Sequence, residues 1–386
     1  MNFEEHAAKP LLAATGISVP RGMLAATPDE AAQAAAVIGA CVVKAQVPTG
    51  KRGKAGGIKT AATPEAARDA AAAILGMTIG EHTVEKVLVE EAADIAGESY
   101  AAVMNDPASK GPLLLYAAEG GMDIEELSAG RPDALLRLEI DIRHGPDGAA
   151  LRRALAGSAP AGREDEVAEI LEKLYAAYAA HDAELLEINP LATLTDGRLV
   201  ALDAKFTMDD SGAARQAALA GQAAPEILTE LEARGREAGL KYIELDGDVG
   251  VLANGAGLTM TTMDSVRHFG GSPANFLEIG GEAYRLGKEA LGLVLDNPRV
   301  RSLVVNFCGA FARTDVMTEG IVTAWEELRP DIPVFFSIHG TGDAEAIALL
   351  KDRLGMDPFD HMDDAVKAAV DAAAAKAAGH IKGAGR

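Results

Sequence analysis

The stretch "LLEINPLATLTDGRLVALDAKF", residues 185–206, alternates in the manner of a β-hairpin around a turn at Thr195-Asp196-Gly197. A three-residue turn pairs Leu194 with Arg198. Counting back along both arms sets Asn189 opposite Asp203 and Glu187 opposite Lys205. Directly opposed side chains have Cβ atoms ~5 Å apart. An amide oxygen and a carboxylate at that spacing suit a hard cation, and Mg2+ commonly takes one or two protein oxygens and fills its shell with water and phosphate. Pro190 interrupts the strand, so a bulge there is expected to compete with this register. Taken alone, the pattern also describes a half-solvated hairpin with Asp203 and Lys205 facing water.

Upstream, "CVVKAQV" reads as a strand carrying Lys44 inside an apolar run, where an ammonium needs a partner. "PTGKRGKAGGIK" follows, placing Lys51, Arg52, Gly53, Lys54 and Lys59 together. Glycines let a backbone approach phosphate and the cations neutralise it, although basic glycine loops also occur on ordinary surfaces. "VLVEEAA" is a further strand, ending in a hinge. A lysine strand, a basic glycine loop, this hinge and a later Asn/Asp pair together describe a nucleoside triphosphate held between two lobes, cations on one side and metal on the other.

Composition limits the alternatives. The chain has 386 residues, 48% hydrophobic and 24% charged, enough for two or three domains with full cores. A net charge of −22 argues against nucleic acid, which requires a basic footprint. Cys41 and Cys308 lie in apolar runs without metal-ligand spacing and read as buried thiols of a reduced cytosol. The charged start "MNFEEHAAKPLL" is unlike a signal peptide, and no apolar run reaches membrane-spanning length, so the expected location is cytoplasmic.

From about residue 240 the rhythm changes to strand, glycine loop, helix, seen in "VGVLANGAGLTMTTMDSVRHFG", "VRSLVVNFCGAFARTD" and "IPVFFSIHGTGDAEAIALL". Continuous apolar strands alternating with helices predict a doubly wound parallel sheet with ligands at the strands' carboxyl ends. "ANGAGLTMTTMD" ends a strand and opens a helix. Gly255 and Gly257 there predict a tight turn with free N–H groups at a positive helix end, suited to a carboxylate or phosphohistidine. Two ordinary glycine turns would have the same sequence signature.

The pieces "KRGKAGGIK", "EINPL…LDAK", "NGAGLTMTTMD", "GGSPANFLEIGG" and "GAFARTD" resemble the β subunits of ADP-forming succinate–CoA ligases, and the resemblance covers nearly the whole chain. It implies an α/β protein with an ATP-grasp domain over 1–238 and a flavodoxin-like CoA-ligase domain over 239–386. It implies that Lys44, Lys51, Arg52 and Gly53 hold phosphates and that Glu90, Ala93 and Glu98 lie along ATP or ADP. Asn189 and Asp203 would hold Mg2+. Glu187 would stabilise a phosphohistidine arriving from an α subunit, which also binds CoA. Asn254, Ala310, Phe311 and Ala312 would meet the acid. No histidine of this chain has the setting of the phosphorylated one, His339 in "SIHGTG" being the nearest candidate.

The chain departs from the family pattern chiefly near the acid. "GAFARTD" stands where the family has "GGIVRCD", "EIGGEA" where it has "DVGGGA", and "SIHGTG" where it has "RLEGTN". Phe311 adds bulk, Glu282 adds negative charge and an arginine is missing. These changes predict that a related acid, such as malate or a short monocarboxylate, is used better than succinate, which remains the family's default. Two further readings are a free-standing ATP-grasp carboxylate–amine ligase and a non-catalytic nucleotide sensor. The C-terminal half argues against the first, and the Asn189/Asp203 pair against the second.

Overall fold

The computed structural model describes residues 1–122, 124–160, 162–280 and 283–378. The chain divides into two compact units, Met1–Ile227 and Leu228–Arg386. The division falls one helix earlier than 238, because Leu231 of helix Glu230–Glu237 packs with Leu240, Tyr242 and Leu291 in the second unit's core.

The first unit holds two principal sheets. The smaller runs in the order Gly22–Ala25, Val87–Glu91, Cys41–Ala45, Ile58–Ala61, antiparallel throughout. Two helices cover it, Pro28–Ile38 and Pro64–Ile74, each opened by a Thr-Pro pair. Thr27 and Thr63 accept from the N–H groups of Glu30 and Ala66 while proline fills the first helical position. Their alanine faces pack on Val43 and Val89. The larger sheet has seven strands, with Ala183–Leu194 between Lys205–Met208 and Ile95–Asp106. Helices Glu5–Ala14 and Glu164–Ala180 contribute Leu12, Leu171 and Leu174 to its core beside Tyr116 and Phe206.

The hairpin keeps the counted register. Glu187 faces Lys205, Thr193 faces Leu199, and the Leu194 N–H donates to the Arg198 carbonyl at 2.8 Å. The bulge expected at Pro190 falls on the other side of the strand. Pairing with Ile95–Asp106 shifts between Ile188 and Leu191, whereas on the hairpin side the Pro190 carbonyl accepts from the Leu202 N–H at 3.1 Å.

The second unit has a parallel sheet in the order Asn275–Ile279, Val249–Asn254, Ser302–Gly309, Val334–Gly340. One strand departs from the all-parallel expectation: Tyr242–Glu244 adds to the edge antiparallel to Asn275–Ile279. Helices Ala256–His268 and Met362–Ala377 cover one face, and Ala283–Leu295, Thr314–Leu328 and Asp343–Leu354 the other. Chain order reverses at Val249–Asn254, which makes the ends of that strand and of Ser302–Gly309 the topological switch point. Among the described residues no helix is long and apolar enough to cross a membrane.

Helices Ala283–Leu295 and Thr314–Leu328 meet backbone to backbone, since a Cβ on Gly287 would lie 2.6 Å from the Gly320 carbonyl oxygen. Gly287→Ala should therefore cost about 1–3 kcal/mol through forced separation of the helices. Gly292→Ala, in the same helix with nothing within 4 Å of its would-be Cβ, should be neutral or stabilising by up to ~1 kcal/mol. Urea unfolding of the full chain checks the pair.

Candidate functional site

A cavity of about 660 Å³ opens in the first unit, lined by both of its principal sheets. Lys44, Lys51, Arg52, Gly53, Glu90, Ala93, Glu98, Glu187, Asn189 and Asp203 all border it. The ten residues expected at the nucleotide, metal and phosphohistidine thus share one cavity, although they come from positions 44 to 203.

Lys44 does not wait bare for a phosphate. Its Nζ donates to Glu5 Oε1 at 2.9 Å, Glu90 Oε2 at 2.6 Å and the Leu202 carbonyl at 2.5 Å. Lys9 makes a parallel set, to Glu5 Oε1 at 2.7 Å, to Glu90 and to Leu202 O at 2.8 Å. Arg52 Nη1 donates to the Ala45 carbonyl at 2.9 Å, and Nη2 to Asp203 Oδ1 at 2.5 Å. Nη1 also lies 2.9 Å from Glu5 Oε2, an ion contact without hydrogen-bond alignment, so that oxygen lacks an aligned donor. All of these side chains except Asp203 are buried. Burial alone would raise the Glu5 carboxyl, but Lys44, Arg52 and Lys9 outweigh it and hold it well below the usual carboxylate range. Burial works against the Lys44 ammonium too, and Glu5, Glu90 and Asp203 keep it charged above its ordinary value.

The two expected metal ligands oppose each other by register, and each is already engaged. Asn189 Oδ1 accepts from the Gly121 N–H at 2.8 Å, and its Nδ2 donates to the Met122 carbonyl at 3.0 Å. This clasp is possible because the Gly120–Met122 loop lies directly on strand Ile95–Asp106. A Cβ at Gly121, whose φ is +71°, would sit 2.2 Å from Glu98 Oε2. Asp203 accepts from Arg52 and from the Ala204 N–H at 2.8 Å, both through Oδ1. The donor set still suits Mg2+: both donors are hard oxygens on one cavity wall, and an amide oxygen keeps a second lone pair. Among the described residues no group of three or more His, Cys, Asp or Glu side chains is placed to cage a metal, so phosphate and water would complete the shell.

Glu187 is half-buried and accepts from the Tyr100 hydroxyl at 3.2 Å. Burial raises its carboxyl above the ordinary value against the pull of Lys205 and Tyr100, with Asp203 and Glu125 pushing the same way as burial. A carboxyl so perturbed in a cavity is a candidate functional group.

The second group stands at the switch point of the other unit. The Asn254 amide donates to the Cys308 carbonyl at 2.9 Å and accepts its N–H at 2.7 Å, clamping the ends of two parallel strands. Gly255, at φ +83°, turns the chain into helix Ala256–His268; Gly257 takes an ordinary helical place. Ala310, Phe311 and Ala312 follow strand Ser302–Gly309, and Phe311 is fully exposed, filling no pocket of this unit. Arg313 is bound to Asp315 at 2.9 and 3.0 Å. Cys308, expected to be buried, is exposed where its strand end carries it beside His339, its register partner; Cys41 is buried as expected. Glu282 lies outside the described residues.

Sequence reasoning missed Glu5, Lys9 and the Gly121–Met122 loop. The helix carried a signal: Glu5, Ala8, Lys9 and Leu12 are spaced as one helical stripe, all buried, so two of its members are charges on a core face. Glu5→Gln should destabilise the chain by about 3 kcal/mol at neutral pH, since three buried cations would lose their shared carboxylate. The Glu5 value is depressed on folding, so its contribution is complete above pH 4.5 and fades as pH falls. Denaturant midpoints of variant and parent, taken from pH 7 down to pH 3, should differ by a constant amount above pH 4.5 and draw closer below it without meeting.

An ATP-grasp domain model matches residues 2–193 and a CoA-ligase model residues 252–370. The GDP-forming succinate–CoA ligase β subunit of Thermus thermophilus is 43% identical, over 92% of this chain and 94% of its own. The ADP-forming β subunit of Herpetosiphon aurantiacus is also 43% identical, over 97% of this chain and 100% of its own. In fold, the chain resembles the ATP citrate lyase of Methanothrix soehngenii, solved with citrate and coenzyme A, with a TM-score of 0.71 at 22% identity over 96% of this chain and 99% of that one. Identity of this order along nearly the whole length means that the chain belongs to the family of succinate–CoA ligase β subunits.

Proposed function

We propose that this chain is the β subunit of an ADP-forming acid–CoA ligase that converts ATP, succinate and CoA into succinyl-CoA, ADP and phosphate. The observation that carries the reading is the gathering of all ten nucleotide-side residues around one cavity. ATP passes its terminal phosphoryl group to a histidine nitrogen of an α subunit, and ADP leaves. The phosphoryl group moves to a carboxylate oxygen of the acid, and the CoA thiolate attacks the acyl carbon and expels phosphate.

In this scheme Lys44, Lys51, Arg52 and Gly53 bind and orient the phosphates, with Glu90, Ala93 and Glu98 along the rest of the nucleotide. Asn189 and Asp203 would hold Mg2+, which offsets charge on the transferring group. Glu187 accepts the N–H of the partner's imidazole and so fixes which nitrogen carries phosphate. Asn254 and the Ala310–Ala312 turn present N–H groups to the acid. The relatives' names favour succinate. Exposed Phe311 closes no pocket that would exclude it. We place the reaction in the cytoplasm, where ATP, CoA and a reduced Cys308 coexist.

Asp203→Asn should lower kcat/KM for ATP in the αβ complex at least about 100-fold with an unchanged circular dichroism spectrum. Retained activity would remove Asp203 from the metal site. In a panel of succinate, malate and short monocarboxylates, each with ATP or GTP, the complex should use succinate and ATP with the highest kcat/KM. The chain without α should release no ADP. A better acid than succinate would restore the reading based on Phe311.

A further inference from the structure

Every member of the charge lattice, buried except at Asp203, is paired with an opposite charge. Three carboxylates, Glu5, Glu90 and Asp203, face three cations, Lys9, Lys44 and Arg52. The lattice is therefore neutral, and the carboxylate read as a metal ligand has one oxygen, Oδ1, bound to an arginine. We infer that Arg52 guards Asp203 and exchanges it for phosphate, so that a divalent metal binds the carboxylate tightly only together with the nucleotide. The inference rests on Asp203 being a metal ligand.

The geometry supports an exchange rather than a fixed pair. Arg52 is anchored on its buried side by the Ala45 carbonyl through Nη1, with Glu5 Oε2 alongside in the unaligned 2.9 Å contact. Nη2 is the nitrogen that extends to Asp203. The Arg52 side chain is 6% exposed and that of Asp203 33%, so a solute reaches the pair from the carboxylate end. A metal arriving alone finds Asp203 Oδ1 taken by Arg52 and must either displace that charge-assisted hydrogen bond or bind at Oδ2 beside the guanidinium's positive charge. A metal arriving with phosphate offers Arg52 an anion whose oxygens match its fork. Lys44 touches Glu5, Glu90 and Leu202, so it takes no hydrogen-bonded part in the exchange.

The test is Mn2+ binding to the purified full chain, read from the electron paramagnetic resonance signal of the free ion, with and without ADP. The parent should bind Mn2+ weakly alone. Arg52→Gln should bind it at least about tenfold tighter without nucleotide, the size of one charge-assisted hydrogen bond lost to the competitor. Arg52→Lys keeps the charge but not the fork and should move the same way, which covers a Gln variant that fails to fold. Lys44→Gln removes an equal charge without releasing Asp203 and should change the nucleotide-free affinity by less than about threefold. Parent-like affinity in both Arg52 variants overturns the inference, as does a Lys44→Gln gain equal to that of Arg52→Gln, which would reduce the effect to net charge. Asp203→Asn separates the two levels. If it leaves ADP-dependent Mn2+ binding intact, the metal-site reading falls and the inference with it. If it abolishes that binding while the Arg52 variants stay parent-like, only the inference falls.

Discussion

Two ammonium groups share one peptide carbonyl at the centre of the first unit, and much of the cavity's geometry depends on how they are held there. Lys9 reaches the Leu202 oxygen from helix Glu5–Ala14, and Lys44 reaches it from the smaller sheet. Such an approach is tolerable only because Glu5 and Glu90 lie between the two cations, each touching both. The arrangement ties the helix, the smaller sheet and the hairpin to one point. Arg52 extends it to Asp203 and thereby sets the basic loop against the segment between strands Leu199–Ala201 and Lys205–Met208, which carries the candidate metal ligand.

The parts of this site that were legible in the sequence are those governed by short-range geometry. A side-chain period of two and a three-residue turn were enough to place Asn189 against Asp203 and Glu187 against Lys205. The same count assigned the Pro190 irregularity to the wrong neighbour, because hairpin spacing holds no information about the strand on the other side. That Lys44 needed a counter-ion was legible from its apolar surroundings. Which counter-ion was not, since Glu5 and Glu90 are 39 and 46 residues away in sequence. An i, i+4 Glu/Lys pair in an alanine-rich helix ordinarily reads as a solvated surface pair. Only its coincidence with Ala8 and Leu12 on one stripe marks it as buried.

In the second unit the fold was more legible than the chemistry. Apolar strands alternating with helices fixed the doubly wound parallel core, and the reversal of strand order located the switch point. Side-chain roles at that point depend on contacts that alternation does not encode. Asn254 spends both amide atoms joining two strand ends, which makes it an organiser of the turn before any acid is present. Cys308 lies in an apolar run and is exposed all the same, because the run continues past the shelter of the helices to the end of its strand. Hydrophobic pattern reports the strand's middle and says little about its rim.

The chain's charge of −22 is a poor guide to what its cavity accepts. At physiological salt a charge more than about 8 Å away through solvent is largely screened, so the distant carboxylates contribute little inside the cavity. The local balance decides instead, and in the buried lattice that balance is zero. A free nucleotide would bring several negative charges to a neutral lattice in a cavity whose wall also carries Lys51, Lys54 and Lys205 and the carboxylates Glu98, Glu125 and Glu187. A metal–nucleotide complex brings fewer, and it carries both signs, as the lattice does where Arg52 meets Asp203. Neutrality before binding therefore favours a ligand that carries both signs. The same neutrality lets five charged side chains stay buried and Asp203 half-buried, because each has an opposite charge within hydrogen-bonding distance.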